Sequence, residues 1–146
     1  MQAQDLMTKS PACVTPEDSA QRVAQLMADN DCGCLPVVED RDTNRVIGVV
    51  TDRDIALRAV AKGKSPNTRV SELMTRDVVS CTENASLEEI ERAMSDRQIR
   101  RVIIADADGC CVGIISQADL ARAASRGGDV DEQDIAEVVE RISEPA

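Results

Sequence analysis

One segment of the chain occurs twice, as GVVTDRDI at residues 48–55 and as GIISQADL at residues 113–120, an offset of 65 residues. Earlier matches have an offset of 67, because LMTK at residues 6–9 returns as LMTR at residues 73–76. Self-similarity at a fixed period indicates tandem copies of one structural unit. A unit of about 60 residues is too small to be comfortable alone, so we expect the two copies to share one core around a pseudo-twofold axis.

Each copy has the same predicted order of elements. Thr15-Pro16-Glu17-Asp18 combines a helix cap with Pro at the first helical position, which predicts that a helix begins there, and Ser86 caps its counterpart. Apolar residues follow both caps at helical spacing: Ala20, Val23, Ala24 and Met27, then Leu87, Ile90, Ala93 and Met94. Short β-branched runs at residues 35–38 and 46–50, and again at 101–105 and 110–115, predict two hairpins. The predicted fold class is α/β (α+β), with two β-α-β-β-α repeats packed as one module.

The expected boundaries follow from this repetition. Repeat 1 covers residues 1–62, a polar linker covers 63–72 and repeat 2 covers 73–126. The remaining segment, 127–146, is acidic, and its apolar residues Ile135, Val138, Val139 and Ile142 fall on one helical face. We therefore expect a C-terminal helix.

Composition excludes several classes of function. The 146 residues include 17 Lys and Arg against 27 Asp and Glu, with no His and no aromatic residue. Without aromatic rings and with a net charge of -10, the chain offers neither a base-stacking platform nor a strong attraction for phosphate backbones, so no nucleic-acid partner is expected. Without His, imidazole catalysis and His metal sites are ruled out. No apolar run is long enough for a membrane span and no export signal is visible, so we expect a cytoplasmic protein without a membrane partner.

The six cysteines leave alternatives open. In a reducing compartment, Cys serves as a small buried hydrophobic residue. Cys32-Gly33-Cys34 and Cys110-Cys111 could instead form a thiolate metal site, although zinc frameworks usually have Cys-x-x-Cys spacing. Redox-sensitive thiols are a third possibility. No metal ligand is assigned on this basis.

The repeated segment also predicts a binding site. A strand that ends in Gly, two apolar residues and then Thr or Ser, with Asp three residues later, places a hydroxyl and unpaired backbone N–H groups at the positive end of a helix, which suits phosphate. Asp54 could accept hydrogen bonds from a ribose diol, and Arg53 could donate to phosphate oxygens. The same Thr-x-x-Asp pattern is also a capping box that needs no ligand. No catalytic constellation rises above background, so no enzyme is expected and no catalytic residue is assigned.

Together, the repeated pieces resemble a tandem pair of CBS domains, a Bateman module, over roughly residues 4–125. The matching pieces are DLMTKSPACVTPEDS and ELMTRDVVSCTENAS at the beginnings, CLPVVED and RVIIADA in the middle, and GVVTDRDI and GIISQADL at the ends. The chain is most similar to stand-alone two-CBS proteins of bacteria and archaea, including the hypoxic-response type. These have no attached enzyme or channel.

The resemblance implies a non-catalytic regulatory module, often a homodimer, that binds AMP, ADP, ATP or S-adenosylmethionine in clefts between the repeats. A protein partner is possible, and no cofactor is required. Matched residue by residue, Thr51 and Asp54 take the phosphate and ribose positions in the first copy, and Ser116 and Asp119 take them in the second. Two classes of alternative are a ligand-free dimeric interaction or structural protein and a thiolate metal or redox protein.

Other candidate ligand-binding residues lie in or next to the predicted strands. Val14 and Cys81 lie in the segments that match the family's adenine-lining strands. Arg100 and Arg101 precede a strand core and alternate across the sheet, so one of them could reach a phosphate, whereas the alternative is a solvated or salt-bridged Arg. Arg53 has no basic counterpart in the second copy, so we expect unequal sites with the first the better phosphate binder.

Overall fold

The computed structural model describes residues 1–125 together with Ala136 and Glu140. The C-terminal helix expected after residue 127 lies outside the described residues, apart from these last two positions. In chain order the helices and strands are α1 (Ala3–Leu6), β1 (Thr8–Lys9), α2 (Ala20–Asn30), β2 (Cys34–Val38), β3 (Val46–Thr51), α3 (Asp52–Asp54), β4 (Ser80–Thr82), α4 (Leu87–Arg97), β5 (Arg101–Ala105), β6 (Cys111–Ser116) and α5 (Gln117–Ser125). A π-helical segment, Ile55–Val60, continues α3, and a short 3-10 helix spans Val70–Glu72.

The chain forms two compact units. One comprises residues 11–78 and 108–111 and is called the N-repeat unit below. The other comprises residues 1–10, 79–107 and the described residues from 112 on, and is called the C-repeat unit. The C-repeat unit contains the expected β-α-β-β-α order, and in the N-repeat unit an isolated bridge at Val14 takes the place of the first strand, which confirms the mixed α/β fold class. The sequence boundaries at 62, 72 and 126 stay a prediction.

The strands of the two units are paired in the same way. In the C-repeat unit the sheet order is β1-β6-β5-β4, with β4 parallel to β5 and β1 antiparallel to β6. In the N-repeat unit the antiparallel hairpin β2–β3 takes the central place. A parallel bridge from Val14 to Val37 and an antiparallel bridge from Thr75 to Val49 flank it. These bridges correspond to the pairs Cys81 with Ile104 and Thr8 with Ile114.

The opening segments of the two copies are exchanged between the units. Thr8, from the beginning of the chain, pairs with Ile114 in the C-repeat unit. Thr75, from the beginning of the second copy, pairs with Val49 in the N-repeat unit. Each LMT segment therefore completes the sheet of the copy to which it does not belong in sequence.

Aliphatic side chains fill both cores. In the N-repeat unit the buried cluster contains Val14, Val23, Leu35, Val37, Val50, Val70 and Met74. In the C-repeat unit it contains Ala3, Ala85, Ile90, Met94, Val102, Ile104, Ile115 and Leu120. The core is thus built without aromatic rings, as the composition requires.

The first long helix differs from its prediction. It begins at Ala20 with Ser19 as the cap, because the Ser19 hydroxyl accepts the Arg22 N–H at 3.1 Å. Thr15 and Asp18 instead close a turn, in which the Thr15 N–H donates to the Asp18 carboxylate at 2.8 Å. The predicted apolar stripe is also wrong at Ala24, which is exposed. In the second copy, Ser86 caps α4 as predicted, with the Glu89 N–H at 3.2 Å.

Candidate functional site

The N-repeat site lies where β3 passes into α3. Thr51 is the last residue of β3 and caps the helix. Its hydroxyl accepts the Asp54 N–H at 3.1 Å, and its own N–H donates to the Asp54 carboxylate at 2.9 Å. The pattern Thr-x-x-Asp therefore forms a complete capping box, as the structural interpretation of the sequence predicted.

The second oxygen of the Asp54 carboxylate faces Arg58. The Arg58 Nε lies 3.6 Å from it, one helical turn away. Another nitrogen of this guanidinium donates to the carbonyls of Leu73 and Met74 at 3.3 and 3.2 Å. Arg58 thus joins the motif to the segment that follows the 3-10 helix. Sequence reasoning missed this residue, although an Arg four positions after an Asp in a helix is a recognisable ion-pair signal.

The C-repeat site repeats this arrangement at the junction of β6 and α5. The Ser116 N–H and hydroxyl both donate to one oxygen of the Asp119 carboxylate, at 2.8 and 3.0 Å. The Asp119 N–H donates back to the Ser116 hydroxyl at 3.2 Å. Arg122 pairs with the other carboxylate oxygen. Both Asp side chains are therefore largely enclosed, with exposed fractions of 13% at Asp54 and 12% at Asp119.

The expectation of unpaired backbone N–H groups in the first motif is wrong. Besides the N–H groups of Thr51 and Asp54, that of Asp52 donates to the Gly33 carbonyl at 3.0 Å. The Arg53 N–H donates to the Asp52 carboxylate at 2.8 Å. The side chains of the motif accept three of these N–H groups locally, and the Gly33 carbonyl accepts that of Asp52.

The arginines lie next to the two motifs. Arg53 is exposed on α3. In the C-repeat unit, the Gln117 N–H donates to the Arg100 carbonyl at 2.8 Å, which fixes Arg100 and the adjacent Arg101 beside the Ser116 motif. Within residues 1–125, the side chains of these three arginines have no hydrogen-bond or ion-pair partner. The salt-bridge alternative for Arg100 and Arg101 is not found there.

The two residues of the predicted adenine-lining segments are both paired to a central strand. The Val14 N–H donates to the Pro36 carbonyl at 3.0 Å, and the Val14 carbonyl accepts the Val38 N–H at 2.8 Å. Cys81 pairs with Ile104 in β4 and is half-buried. Burial raises the pKa of the Cys81 thiol, and the charge of Glu89 raises it further. The Val14 N–H is bonded within the sheet and is not available to a ligand, whereas the Val14 carbonyl oxygen has a second lone pair that can accept a hydrogen bond.

Other features of the described chain concern metals and membranes. The part of the chain that the structure describes contains no group of three or more Cys, Asp or Glu placed to hold a metal ion. The same residues contain no helix that is long and apolar enough to cross a membrane.

Comparison with known proteins identifies the family. A model of the CBS domain matches residues 3–60 and again residues 70–126. The chain therefore belongs to the CBS-domain family and carries two copies of the domain, which confirms the resemblance inferred from the repeated motifs.

Two relatives cover most of the chain. The CBS domain-containing protein YhcV of Bacillus subtilis (strain 168) is 43% identical over 117 residues, which are 80% of this chain and 81% of YhcV. Hypoxic response protein 1 of Mycobacterium tuberculosis (strain ATCC 25618 / H37Rv) is 36% identical over 121 residues, 82% of each chain.

Solved structures show the same module. The crystal structure of Hypoxic Response Protein I with two coordinated zinc ions has a TM-score of 0.75 at 35% identity and covers 84% of this chain and 98% of its own. The CBS domain pair of MJ0100, in complex with 5'-methylthioadenosine and S-adenosyl-L-methionine, has a TM-score of 0.77 at 25% identity, covering 87% and 98%. CBSX2 in complex with AMP has a TM-score of 0.72 at 26% identity, covering 86% and 96%.

Proposed function

We propose that this chain is a non-catalytic regulatory module that binds an adenosyl ligand, namely AMP, ADP, ATP or S-adenosylmethionine. In the N-repeat unit the ligand-binding residues are Thr51, Asp54 and Arg53. In the C-repeat unit they are Ser116, Asp119 and the two arginines at positions 100 and 101. The ligands bound to MJ0100 and CBSX2 support this class of ligand.

The observation that carries the proposal is the pair of arginines beside the second motif, whose side chains have no partner among the described residues 1–125. The hydrogen bond from the Gln117 N–H to the Arg100 carbonyl holds the backbone of this pair against the start of α5. Guanidinium groups without a protein partner are available for bidentate hydrogen bonds to phosphate oxygens. Ser116 and Asp119, at the same junction, supply the hydroxyl and the carboxylate that a ribose and its phosphate require.

The charges around the two motifs favour the C-repeat site for an anion. In the N-repeat unit, Arg53 and Arg58 are balanced by Asp52 and Asp54. Within the described residues 100–101 and 116–122 of the C-repeat unit, Arg100, Arg101 and Arg122 accompany the carboxylate of Asp119. Comparison of the motifs alone favoured the first site because of Arg53. The charge balance favours the second, so we propose that phosphate-bearing ligands bind first in the C-repeat site.

Ligand binding at either site competes with bonds that the motif already makes. A ribose diol that approaches Asp119 competes with Arg122 for the carboxylate oxygen with which that guanidinium now pairs. The ligand changes the conformational equilibrium only to the extent that it binds one arrangement better than the other. Movement of the Arg122 side chain is therefore the local event through which occupancy would be transmitted.

Calorimetric titration with AMP, ATP and S-adenosylmethionine tests the proposal directly. One of Arg100→Gln and Arg101→Gln should weaken binding of the phosphate-bearing ligands roughly 10-fold or more, because the two side chains alternate across the sheet and only the one that reaches the phosphate loses a charge-assisted hydrogen bond. Arg92→Gln is the matched control, since Arg92 is an exposed arginine of α4 in the same unit. The absence of binding heat with all three ligands would contradict the proposal.

Substitution of the motif carboxylate separates a binding role from a capping role. Asp54→Ala and Asp119→Ala remove both the box and the proposed ribose contact. Loss of ligand binding in a variant that remains folded supports the binding site. Loss of stability with an unchanged ligand response supports capping alone, and with it the alternative of a ligand-free interaction protein.

The exposed apolar residues of the π-helical segment favour association of two chains. Leu57 is 48% exposed and Val60 is 72% exposed. We propose a homodimer that covers this pair, because large apolar side chains exposed together mark interaction surfaces. Sedimentation equilibrium should give the mass of a dimer for the parent chain and a lower mass for Leu57→Ser and Val60→Ser. A monomeric mass for the parent chain would contradict the homodimer.

The cytoplasmic location stays a prediction.

A further inference from the structure

One guanidinium of the N-repeat unit bridges the first motif and a separate stretch of backbone. The Arg58 Nε lies 3.6 Å from the Asp54 carboxylate, and the Arg58 Nη1 donates to the carbonyls of Leu73 and Met74 at 3.3 and 3.2 Å. All four residues belong to the N-repeat unit. Because the N–H groups of a guanidinium form a rigid planar fork, a turn of the group toward one partner changes its distance to the others.

The bridge closes a ring of contacts. Thr75, which follows Met74, pairs with Val49 of β3 through two backbone hydrogen bonds of 2.8 and 2.9 Å. β3 ends at Thr51, whose hydroxyl accepts the Asp54 N–H. The contacts therefore run from the motif through the guanidinium to this strand pairing, and they return to the motif along β3. A change of partner at one point of the ring acts on the other points.

The contact between the guanidinium and the carboxylate is the weak point of the ring. The Arg58 side chain is 47% exposed, and its distance from Asp54 is longer than a hydrogen bond. An ion pair of this kind contributes little to stability. The two carbonyls, in contrast, belong to residues of the core, because Leu73 is fully buried and Met74 nearly so. Arg58 can therefore give up its carboxylate partner while its backbone partners stay in place.

The position of this arginine is particular to the first copy. At the offset of 65 residues, Arg58 corresponds to Ala123. The arginine of α5, Arg122, pairs with Asp119 three residues before it. Arg58 instead lies on a π-helical segment, four residues after its carboxylate partner. Such segments are rare and often occur at functional sites. The bridge is thus a feature of the first motif and does not follow from the repeated pattern.

We propose that Arg58 is a positioning residue through which a ligand in the N-repeat site strengthens the pairing of Thr75 with Val49. This inference rests on the proposed function, in which a ribose diol donates to the Asp54 carboxylate. The diol replaces the guanidinium as the partner of that carboxylate, and Arg58 turns toward the carbonyls of residues 73–74. Stronger hydrogen bonds at these carbonyls hold the adjoining backbone more tightly against β3.

Amide hydrogen exchange, measured by NMR with and without saturating AMP, tests this coupling. In the parent chain, AMP should slow exchange of the Val49 and Thr75 amides at least about 5-fold, which is the lower end of the usual range of coupling between two sites. 2′,3′-Dideoxyadenosine 5′-monophosphate has the same base and phosphate but no diol. At saturation it should leave the exchange of both amides unchanged.

Substitution of the guanidinium separates the coupling from a merely structural role. Arg58→Met keeps a long apolar stem and has no donor, so this variant should bind AMP without the slower exchange. Arg22→Met is the matched control, because Arg22 is an exposed arginine of α2 in the same unit. The control should respond to AMP as the parent chain does.

Three results would overturn the inference and leave the proposed function in place. They are equal slowing by AMP and its dideoxy analogue, an undiminished response in Arg58→Met, and no slowing in the parent chain when calorimetry shows it to be saturated with AMP. Should Arg58→Met fail to fold, the comparison of the two nucleotides on the parent chain gives the same decision. Absence of binding heat with AMP, ATP and S-adenosylmethionine would instead contradict the proposed function, and the coupling with it.

Discussion

Replacement of Gly48 by Ala should destabilise the N-repeat unit through a clash with the backbone. The corresponding replacement of Gly113 should not cause this clash. A Cβ atom at Gly48 would lie 2.7 Å from the Thr75 carbonyl oxygen and 3.1 Å from the terminal methyl of Met74. Gly48 does not have a positive φ, so Ala is compatible with its backbone conformation. The cost therefore comes from the close contact with the Thr75 backbone.

The expected loss of stability in Gly48→Ala follows from the displacement of the Thr75 backbone. The Thr75 carbonyl accepts the Val49 N–H at 2.9 Å, and the Thr75 N–H donates back to Val49 at 2.8 Å. Overpacking of a filled site costs about 1–3 kcal/mol, and weakening a hydrogen bond costs about 1 kcal/mol more. The smaller conformational entropy of Ala in the unfolded chain returns about 0.4–1 kcal/mol. We expect a net loss of about 2 kcal/mol, or roughly 4–8 °C in Tm.

A Cβ atom added at the counterpart, Gly113, would meet a side chain instead of the backbone. The nearest atoms to a Cβ at Gly113 are the sulfur, Cγ and Cβ of Met7. Met7→Ala removes two of these atoms, so the cost of Gly113→Ala should fall by about 1 kcal/mol in that background. Met74→Ala cannot move the Thr75 carbonyl, and its coupling to Gly48→Ala should stay under about 0.5 kcal/mol.

Urea unfolding followed by far-ultraviolet circular dichroism measures both double-mutant cycles, because the chain has no aromatic residue to report fluorescence. The parent chain and the four single variants complete the set. A Gly48→Ala variant as stable as the parent, or a rescue by Met74→Ala equal to that by Met7→Ala, would refute this reasoning.

Three further outcomes are expected. Thr51→Ala should lower stability by about 1 kcal/mol in urea unfolding, through loss of the cap, whereas Thr51→Ser should not. Iodoacetamide should alkylate Cys13 at lower pH than Cys81 in mapped peptides, because the pKa of Cys13 is lowered and that of Cys81 is raised; the reverse order would contradict these shifts. The Thr43 N–H lowers the pKa of the Asp40 carboxyl, so Asp40 stabilises the fold above its unfolded-state pKa and the effect is lost as pH falls through the folded-state value. The difference in urea midpoint between the parent and Asp40→Ala should therefore be present at neutral pH and absent in strong acid; a difference independent of pH would exclude it.

Much of the local architecture could be predicted because its causes are local. The cap at Ser86 and the hairpin β2–β3 follow from residue types within a few positions of one another. The start of α2 was misplaced because Thr15-Pro16-Glu17-Asp18 satisfies the rules for a helix start, yet its backbone is used elsewhere. The Asp18 carbonyl accepts the Val70 N–H at 2.8 Å, a contact that no local rule contains.

The candidate site divides in the same way. The bonds between Thr51 and Asp54 were predictable from their spacing, and the duplicated motif predicted a second set at Ser116. The acceptor of the Asp52 N–H could not be predicted, because it is the carbonyl of Gly33, which directly precedes β2 and is distant from Asp52 in sequence. The consequence is chemical, since the N–H groups that were expected to bind phosphate in the first motif are occupied. The arginines without a partner in the described part of the chain then become the main source of positive charge.

The repeated residue pattern establishes the order of elements, the two capping boxes and an all-aliphatic core, since each depends on periodicity and composition along the chain. The pairing of each LMT segment with the sheet of the other copy is decided only by the tertiary structure. The two copies are so similar in sequence that either sheet edge offers a matching set of N–H and C=O groups. In the folded chain Met7 lies against Gly113 and Met74 lies against Gly48, and no local sequence rule contains such contacts between residues far apart along the chain.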